Sequence, residues 1–267
     1  MLLSRPEILA ALEAGDIIID PFDERNLGTA SYDVTVGPHI YREAGSITTV
    51  PIGCSHVAEM SPHIVANPYS EHGVSGYEGL WQRDRAEACG RDDLMHRLGF
   101  RSSPQPGIHD GDEIILLAPQ ELILAHTIEF IGSTSGIGVE LTHTTQMHSR
   151  STTVRMGLDV CGSGGWGDHG FCNRWTMEIR NNFRFHHMPL IVGRRIAQIN
   201  FFRTEPIRDG ADYSAGGKYC DGAIEEMKAN WTPDRMLPLA HRDRETNDPS
   251  YQKIVASLFG SDRPNDT

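Results

Sequence analysis

The stretch RSTTVRMGLDVCGSGGWGDHGFCNRWTME, residues 150–178, decides how the rest of the chain is interpreted. It begins with Arg150, three hydroxyl side chains follow directly, and Arg155 lies a few residues further on. Guanidinium and hydroxyl groups are natural donors to phosphate oxygens. Glycines are dense between residues 162 and 170, where missing Cβ atoms let the backbone approach a flat ligand. The stretch therefore predicts an anion-binding segment followed by a turn whose backbone contacts a base.

The residues after this turn have the alternation of a β-strand. Apolar side chains at 171, 175, 177 and 179 share one face, which leaves Glu178 on the other face. We therefore expect one carboxylate beside the glycine-rich turn, directed away from the core.

The pattern of the wider chain favours a mainly β fold. Between residues 112 and 202, predicted strands at 113–117, 122–125, 137–141 and 196–202 are separated by Gly, Pro and Asn residues. Short strands at close spacing are typical of an antiparallel barrel or sandwich. The chain has no βαβ alternation, and no G-x-G-x-x-G segment leads from a strand into a nucleotide-binding helix. Both observations argue against a parallel doubly wound sheet.

Helices are expected at the periphery. Ser4 and Glu7 have the spacing of a capping box and Gly15 suits a helix end, so residues 5–14 are predicted to be helical. The tail 249–259 repeats apolar residues with the helical period. This tail helix packs either on its own barrel, which we favour, or across a subunit interface.

Residues 51–111 lose any period, and a stretch of this length indicates an insertion that carries function. Within it, residues 84–97 could form a polar helix along one edge. Its histidines and cysteines lack the spacing of a zinc site. We thus divide the chain into a nucleotide-binding domain at 1–222, which contains the insertion, and a C-terminal helical extension at 223–267.

Three segments together resemble the dCTP deaminase branch of the dUTPase-like family. RSTTVRMGL, SGGWGDHGF and TMEIRNN are similar to that family's R-S-S-x-x-R-x-G-L, T-A-G-W-I-D-x-G-F and T-L-E-x-x-N segments, with matching separations. Residues 4–37, 117–131, 192–202 and 216–219 extend the likeness. The resemblance implies a dUTPase-like distorted antiparallel β-barrel, jelly-roll-like, with a few peripheral helices, which acts as a homotrimer with sites between subunits.

The resemblance also implies a reaction, the hydrolytic deamination of dCTP to dUTP and ammonia. Zinc deaminases carry an H-x-E plus P-C-x-x-C signature, and this chain has neither part. A metal-free route needs a carboxylate with a raised pKa that moves the proton. By resemblance Glu178 is this general base, Ser151 and the carbonyl of Gly164 orient the water, and Arg155 keeps the site assembled. The resemblance also implies that Ser151 and Arg155 serve Glu178 of the neighbouring subunit.

Other residues would hold the nucleotide by the same resemblance. Mg²⁺ would enter with the triphosphate, bound mainly by phosphates and water, and no zinc is expected. The substrate-binding candidates are Arg150 and Thr152 at the phosphates, Asp168 near the 3′-hydroxyl, Phe171 on the sugar, Gln198 at the base or phosphates, and Tyr213, Lys218 and Tyr219 in a C-terminal segment that closes over the triphosphate.

Each role has a simpler alternative. Glu178 is otherwise a solvated strand residue, Phe171 a core residue, and Arg150 and Arg155 surface arginines in weak pairs. Asp33 is expected to be a structural carboxylate that ties two loops together. At the level of function, the alternatives are dUTP diphosphatase activity, alone or after deamination in one site, and a non-catalytic nucleotide-binding or interaction protein.

The chain departs from the family at the turn. Gly164 stands where alanine is typical, and a roomier pocket could admit a 5-modified deoxycytidine nucleotide. Gly167 and His169 replace residues that restrict the backbone, so we expect a looser turn. His169 is either a surface histidine, which we favour, or a new polar contact.

Composition limits the partners. A formal net charge of -12 and a pI of about 5.5 argue against non-specific binding to nucleic acid or anionic membranes. Five cysteines without a C-x-x-C pair favour free thiols in a reducing compartment. The first residues read as a short helix and not as a signal peptide, and no stretch is long and apolar enough to span a membrane, so a cytoplasmic protein is expected.

Overall fold

The computed structural model describes residues 1–43, 69, 80–88, 107–133, 141–207, 213, 217–220 and 224–259. The helices are α1 (Arg5–Ala14), α2 (Ser151–Arg155), α3 (Ile224–Ala229), α4 (Arg244–Asn247) and α5 (Pro249–Phe259). The strands are β1 (Ile17–Asp20), β2 (Tyr32–Glu43), β3 (Trp81–Arg85), β4 (Glu87–Ala88), β5 (Glu113–Leu117), β6 (Leu122–Ser133), β7 (Leu141–Ser149), β8 (Leu158–Val160), β9 (Trp166–Gly167), β10 (Cys172–Asn181), β11 (Met188–Ile191) and β12 (Arg195–Ile207).

The fold is mainly β, as the sequence predicts. Nine strands form one sheet in the order β8-β10-β6-β2-β12-β7-β9, and β1 and β3 pair with β6 and β2. A second sheet joins β11, β5 and β4. All pairs among the described strands are antiparallel, which excludes a doubly wound parallel architecture for this part of the chain.

The large sheet curls around one apolar core. Strands from both halves of the sheet contribute to it, including Val34 of β2, Met147 of β7, Met177 of β10 and Ile199 of β12, all almost fully buried. Because side chains alternate along a strand, the residues between them point to the outer surface of the curl. The outer surface is therefore where polar site residues of these strands can lie.

Helix α1 forms as its local sequence predicts. Ser4 and Glu7 make the reciprocal capping box, and Gly15 ends the helix in the left-handed conformation with φ 78°. Ile8 is fully buried, and Leu9 and Leu12 pack against the core. Burial of one such isoleucine stabilises the fold by about 1.5–3 kcal/mol.

The prediction of a polar helix from residue 84 is wrong for its described part. Trp81–Arg85 is strand β3, which pairs with β2, and Glu87–Ala88 is strand β4. Trp81 is buried while the four following side chains are exposed, so a single aromatic residue fixes this edge strand. Pairing with the free edge of β2 therefore outweighs the polar local sequence that suggested a surface helix. Residues 89–97, like most of the segment 51–111, lie outside the described residues.

The C-terminal extension packs on the outer surface of β2 and β6. Met236 and Leu237 join Tyr41 and Leu124 in a second apolar cluster. The hydroxyl of Tyr41 donates a hydrogen bond to Asp234 in the same segment. These contacts cover the strand next to β10 on the surface that carries Glu178.

The predicted tail helix is present as α5. Ile254 in its apolar stripe is 52% exposed in the single chain, so the surface that this stripe contacts stays a prediction. Cys161, Cys172 and Cys220 are buried free thiols. Among the described residues, no helix has the length and apolar character needed to cross a bilayer.

Candidate functional site

Glu178 lies on the outer surface of β10, as the alternation predicts. Its neighbours Met177 and Ile179 are fully buried, whereas Glu178 itself is exposed in the single chain. It pairs in register with Leu124 of β6. Surrounding protein atoms desolvate the carboxyl group and raise its pKa above the ordinary value, although a hydrogen bond from its own backbone opposes this. A carboxyl group with a raised pKa suits proton transfer near neutral pH.

The glycine-rich turn lies beside this carboxylate. The backbone N–H of Cys161 donates to the carbonyl of Glu178 over 3.0 Å, and the N–H of Gly164 donates to the carbonyl of Cys161 over 2.8 Å. A Cβ placed on Gly164 would lie 3.9 Å from Oε2 of Glu178. The turn and the carboxylate therefore form one local unit, and the sequence-predicted pair Glu178 and Gly164 is brought together.

Close packing holds the rest of this turn against β7. The N–H of Met147 donates to the carbonyl of Gly165 over 2.6 Å. A Cβ on Gly165 would overlap the backbone of Met147, and one on Gly167 would overlap Thr145 and the ring of Trp175. Packing at position 167 therefore requires glycine. These close contacts offset the looser turn that we expected from the missing side chain.

Ser151, Thr152 and Arg155 lie on the short helix α2, where all three side chains are exposed. Thr153 anchors the helix, because its buried hydroxyl donates to the carbonyl of Ile196 over 3.0 Å. Within the described part of the chain, no hydrogen bond or ion pair connects Ser151 or Arg155 with the carboxylate of Glu178. Within the described part of one chain, the predicted catalytic residues of α2 and Glu178 are therefore not joined by a direct polar contact.

Arg150 lies at the N-terminal end of α2 and contacts Asp33. Its Nε is 3.1 Å from Oδ2 of Asp33, and Nη1 of Arg195 lies 3.0 Å from the same oxygen. The side chain of Asp33 is only 17% exposed. Asp33 thus ties β2 to β12 and to the start of α2, in agreement with its expected structural role.

A cleft of about 640 Å³ opens beside this ion-pair cluster. Its lining is rich in charged groups and consists of Pro21, Asp23, Arg25, Asn26, Tyr32, Thr35, Ile128, Glu129, Arg150, Gly193, Arg194 and Arg195. Four arginines line one cleft, which makes it suited to a polyanion such as a phosphate chain.

Glu129 forms the buried end of this cleft. Its carboxylate accepts hydrogen bonds from the N–H of Thr35 over 3.0 Å and from the Thr35 hydroxyl over 2.9 Å. Burial nevertheless raises the pKa of Glu129, because desolvation outweighs these bonds. The acidic groups near the cleft are therefore already engaged by protein partners.

Gln198 lies next to the same cluster. It pairs in register with Asp33 of β2 and with His148 of β7, so the three side chains share the outer surface of the sheet. This placement puts Gln198 on the same surface as Asp33, whose partners Arg150 and Arg195 line the arginine-rich cleft.

Asp168 is held at the end of the glycine-rich turn. The indole N–H of Trp166 donates to its Oδ1 over 3.0 Å, and the Trp166 side chain is largely exposed. His169 makes a 2.6 Å hydrogen bond with the hydroxyl of Thr204 and is half-buried. His169 thus makes a polar contact that links the turn to β12 at the protein surface.

Phe171 and Tyr213 lie together behind Asp168. Their rings meet edge to face with centroids 5.4 Å apart, and Phe171 makes a similar contact with Trp175 at 5.1 Å. The N–H of Tyr213 donates to the carbonyl of His169 over 2.9 Å. Phe171 therefore packs against the core, although it is only half-buried.

Lys218 and Tyr219 contact the C-terminal extension. The ammonium group of Lys218 forms an ion pair with Asp243. The hydroxyl of Tyr219 accepts a hydrogen bond from the N–H of Leu239 over 3.1 Å, and its carbonyl accepts one from Asn173 over 2.8 Å. In this conformation both residues contact other parts of the same chain.

Sequence reasoning did not identify Arg195 and Trp166, which position Asp33 and Asp168. Arg195 lies in VGRRIAQ, in which only Gln198 was predicted to have a role. The sequence offered one indication of a role for Arg195, a charged residue at the start of a strand that pairs with β2. Among the described residues, no group of three or more His, Cys, Asp and Glu side chains converges to hold a metal ion.

Comparisons with known proteins find similarity over most of the chain. The family described as dCTP deaminase-like matches residues 2–66 and 89–204, which include β1, β2 and every strand from β5 to β11. The C-terminal extension and β3 fall outside the matched residues.

Two relatives match most of the chain. A protein of Nanoarchaeum equitans named dCTP deaminase, dUMP-forming, is 33% identical over 82% of this chain and 92% of its own length. A protein of Acidothermus cellulolyticus with the same name is 27% identical over 91% of this chain and 100% of its own length. Among solved structures, the 2′-deoxycytidine 5′-triphosphate deaminase of Agrobacterium tumefaciens aligns with a TM-score of 0.43 and 13% identity, over 74% of this chain and 45% of that chain.

Proposed function

Because the chain belongs to the dCTP deaminase-like family, we propose that it removes the amino group of dCTP as ammonia and then releases pyrophosphate, which leaves dUMP. The sequence left two outcomes open, release of dUTP and a second hydrolysis in the same site. The names of the two relatives, which both end in dUMP-forming, favour the second outcome. The proposed product is therefore dUMP and not the dUTP first expected.

In the first step, Glu178 takes a proton from a water molecule whose oxygen attacks C4 of the cytosine, and the carboxylic acid gives this proton to N3. Glu178 then takes the proton of the new C4 hydroxyl group and passes it to the amino nitrogen. The C4–N bond breaks, ammonia leaves and C4 becomes a carbonyl. The raised pKa of Glu178 supports this role, because the group must both accept and release a proton near neutral pH. The carbonyl of Gly164, in the turn beside Glu178, accepts a hydrogen bond from the attacking water.

In the second step, water attacks the α-phosphorus of dUTP and pyrophosphate leaves. Asp168 is the carboxylate that we assign to this water or to the 3′-hydroxyl beside it, because Trp166 holds its side chain in place. Arg150 contacts the phosphate chain in the arginine-rich cleft. Thr152 adds a hydroxyl donor from α2.

We propose that Mg²⁺ enters with the triphosphate. Asp33 is engaged by two arginines and Glu129 by Thr35, so these carboxylates do not offer a preformed protein cage. This donor set fits an ion that phosphate oxygens and water hold for the most part. The ion would neutralise charge on the phosphate chain while the arginines position it.

We propose a homotrimer with shared sites, and the lack of a polar contact between α2 and Glu178 within one chain supports this proposal. Ser151 and Arg155 of one chain would complete a site with the partner subunit's Glu178. The same segment also exposes Val154 of α2 (55%) and Met156 directly after it (45%), and Phe185, in the loop after β10, is 84% exposed. Apolar side chains at this level of exposure are typical of a surface that another subunit covers.

The observation that carries the proposal is the carboxylate of Glu178, with its raised pKa, beside the Gly164 turn inside the family match. The test incubates the purified chain with dCTP and Mg²⁺ and measures ammonia and pyrophosphate together. We expect both products from the wild type and neither from Glu178→Gln. Glu226→Gln, which alters an exposed glutamate of α3, serves as the control and should retain both activities.

The two steps separate in the same assay. Ammonia without pyrophosphate would leave dUTP as the product, and pyrophosphate from dUTP without ammonia from dCTP would indicate a diphosphatase. Tight binding of dCTP without either product would favour a non-catalytic nucleotide-binding protein.

A further inference from the structure

The glycine-rich turn contains one glycine that neither backbone conformation nor packing demands. Gly162 has φ 41°, in the region that favours glycine. A Cβ on Gly165 or Gly167 would overlap atoms of β7. Gly164 lies outside the left-handed region, and the nearest atoms to an added Cβ lie at 3.8 and 3.9 Å, an ordinary van der Waals distance. An alanine would fit at this position, so the fold itself does not account for the glycine.

The open volume at Gly164 lies beside the catalytic carboxylate. Oε2 of Glu178 is the atom at 3.9 Å from the added Cβ, and the carbonyl oxygen of Cys161 is the atom at 3.8 Å. The side chain of Cys161 turns inward, with Sγ 3.1 Å from Sδ of Met147. Ser163 supplies the single side chain larger than a hydrogen atom between residues 162 and 165. The segment next to Glu178 therefore carries few side-chain atoms.

The reaction chemistry restricts what this volume can receive. Glu178 works at C4 and N3 of the pyrimidine, so a group next to its carboxylate lies near these atoms. N3 must take a proton and the exocyclic nitrogen must leave, whereas C5 is bonded to C4 and takes no part in either step. A substituent on C5 therefore survives the reaction.

We propose that the volume at Gly164 receives a substituent on C5, so that the site accepts 5-substituted deoxycytidine nucleotides, of which 5-methyl and 5-hydroxymethyl are small examples. The proposal rests on the deaminase function proposed above. The water oxygen bonds to C4 and Glu178 passes one water proton to N3 and then the C4 hydroxyl proton to the amino nitrogen. The C4–N bond breaks, ammonia leaves, C4 becomes a carbonyl and the C5 group is unchanged. 5-Methyl-dCTP would thus give ammonia and a thymidine nucleotide.

The experiment offers dCTP and 5-methyl-dCTP together to the wild type and measures the ratio of their kcat/KM values from the two products. The variant Gly164→Ala restores one methyl group beside Glu178, and Ser163→Ala alters the neighbouring exposed residue as a control. We expect the wild type to turn over 5-methyl-dCTP at least as well as dCTP. Gly164→Ala should lower the ratio about tenfold or more, the discrimination that one methyl group gives in a tight pocket. Ser163→Ala should leave the ratio unchanged.

Three results would overturn the proposal. The first is a wild type that rejects 5-methyl-dCTP while it deaminates dCTP, and the second is an equal ratio in wild type and Gly164→Ala. The third is preferential release of methylamine from N4-methyl-dCTP, which would assign the volume to the exocyclic nitrogen. If no nucleotide is deaminated, the proposed function fails separately. Calorimetric binding of dCTP and 5-methyl-dCTP to both proteins then tests the pocket, and equal affinity ratios would refute it.

Discussion

Nε of Arg150 lies 3.1 Å from Oδ2 of Asp33, and this ion pair joins the start of helix α2 to strand β2. Arg195 reaches the same oxygen, so one carboxylate holds two cations that line the cleft. The proposed phosphate-binding group is therefore positioned by a residue more than a hundred positions earlier in the chain.

Replacement of Asp33 by Asn should weaken both the fold and the cleft. The half-buried Arg150 and the exposed Arg195 lose the counter-charge of a largely buried carboxylate, which we expect to lower the free energy of unfolding by about 1–3 kcal/mol. The KM for dCTP should rise because Arg150 is no longer held. Urea unfolding and steady-state kinetics check both effects. Asp23→Asn, at an exposed pair with Arg25, is the control and should lower the free energy of unfolding less than Asp33→Asn does. Equal losses in the two variants would contradict the positioning role.

The pH dependence of deamination should report the raised pKa of Glu178. The base must be ionised to accept a proton from water, so kcat/KM should fall as the pH decreases through this pKa. Since desolvation raises the pKa above the ordinary value of 4.5, the midpoint of the acid limb should lie above pH 4.5. A pH profile of kcat/KM measures it. A midpoint at or below pH 4.5 would show that Glu178 is not desolvated in the working enzyme.

The same pKa shift predicts that Glu178→Gln is inactive without being unstable. A carboxyl group whose pKa is raised on folding penalises the folded state above that pKa, and the penalty disappears below the unfolded value. Neutral glutamine removes the penalty, so the variant should unfold at higher urea concentration than the wild type at pH 8. The difference should shrink as the pH falls toward 4. A variant that is less stable at pH 8 would mean that the carboxylate makes a net stabilising contact.

Acid should destabilise the protein through His126. This residue is fully buried, its Nδ1 lies 2.8 Å from the carbonyl of Thr127, and its ring lies 4.6 Å from that of Trp231. Burial lowers its pKa to about 4 from the ordinary value of 6.5. The neutral ring therefore contributes stability in full above pH 6.5, and this contribution is lost as the pH falls through about 4.

The loss should amount to about 3 kcal/mol between pH 7 and pH 4. Urea unfolding at these pH values measures it in the wild type. In His126→Gln the pH dependence should be weaker by a similar amount, whereas His187→Gln, which alters an exposed histidine, should behave as the wild type. The same slope in all three proteins would assign acid sensitivity to other groups.

Alanine substitutions at two glycines of the turn should have different effects on the free energy of unfolding. A Cβ on Gly167 would overlap Thr145 and the Trp175 ring, so Gly167→Ala should lower the free energy of unfolding by about 1–3 kcal/mol or more. Gly164→Ala meets no such overlap and should change it by less than about 1 kcal/mol. Thermal unfolding of the two variants gives the comparison. Similar melting temperatures would mean that β7 and β10 can move apart at little cost.

Local patterns made part of this structure predictable. The capping box of Ser4 and Glu7 and the alternation around Glu178 depend on residues a few positions apart, so α1 and β10 follow from short stretches of sequence. The pairing of Glu178 with the Gly164 turn could also be expected, because the two lie in one hairpin-like segment.

Contacts between distant residues were beyond such patterns. Strand β3 forms because β2 offers a free edge, and its exposed polar residues gave no indication of this pairing. The contact of His169 with Thr204 depends on the register of β12 against β7, which composition does not specify. The engagement of Lys218 by Asp243 likewise requires knowledge of where the C-terminal extension docks.

The main path of the nine-stranded sheet begins and ends on its shortest strands, β8 with three residues and β9 with two. An exposed sheet edge offers unpaired backbone groups to any other extended chain, and the hazard grows with the length of the edge. Both ends of this path are too short to template a further strand. At these two ends of the path, few backbone groups are therefore available for aggregation by strand addition.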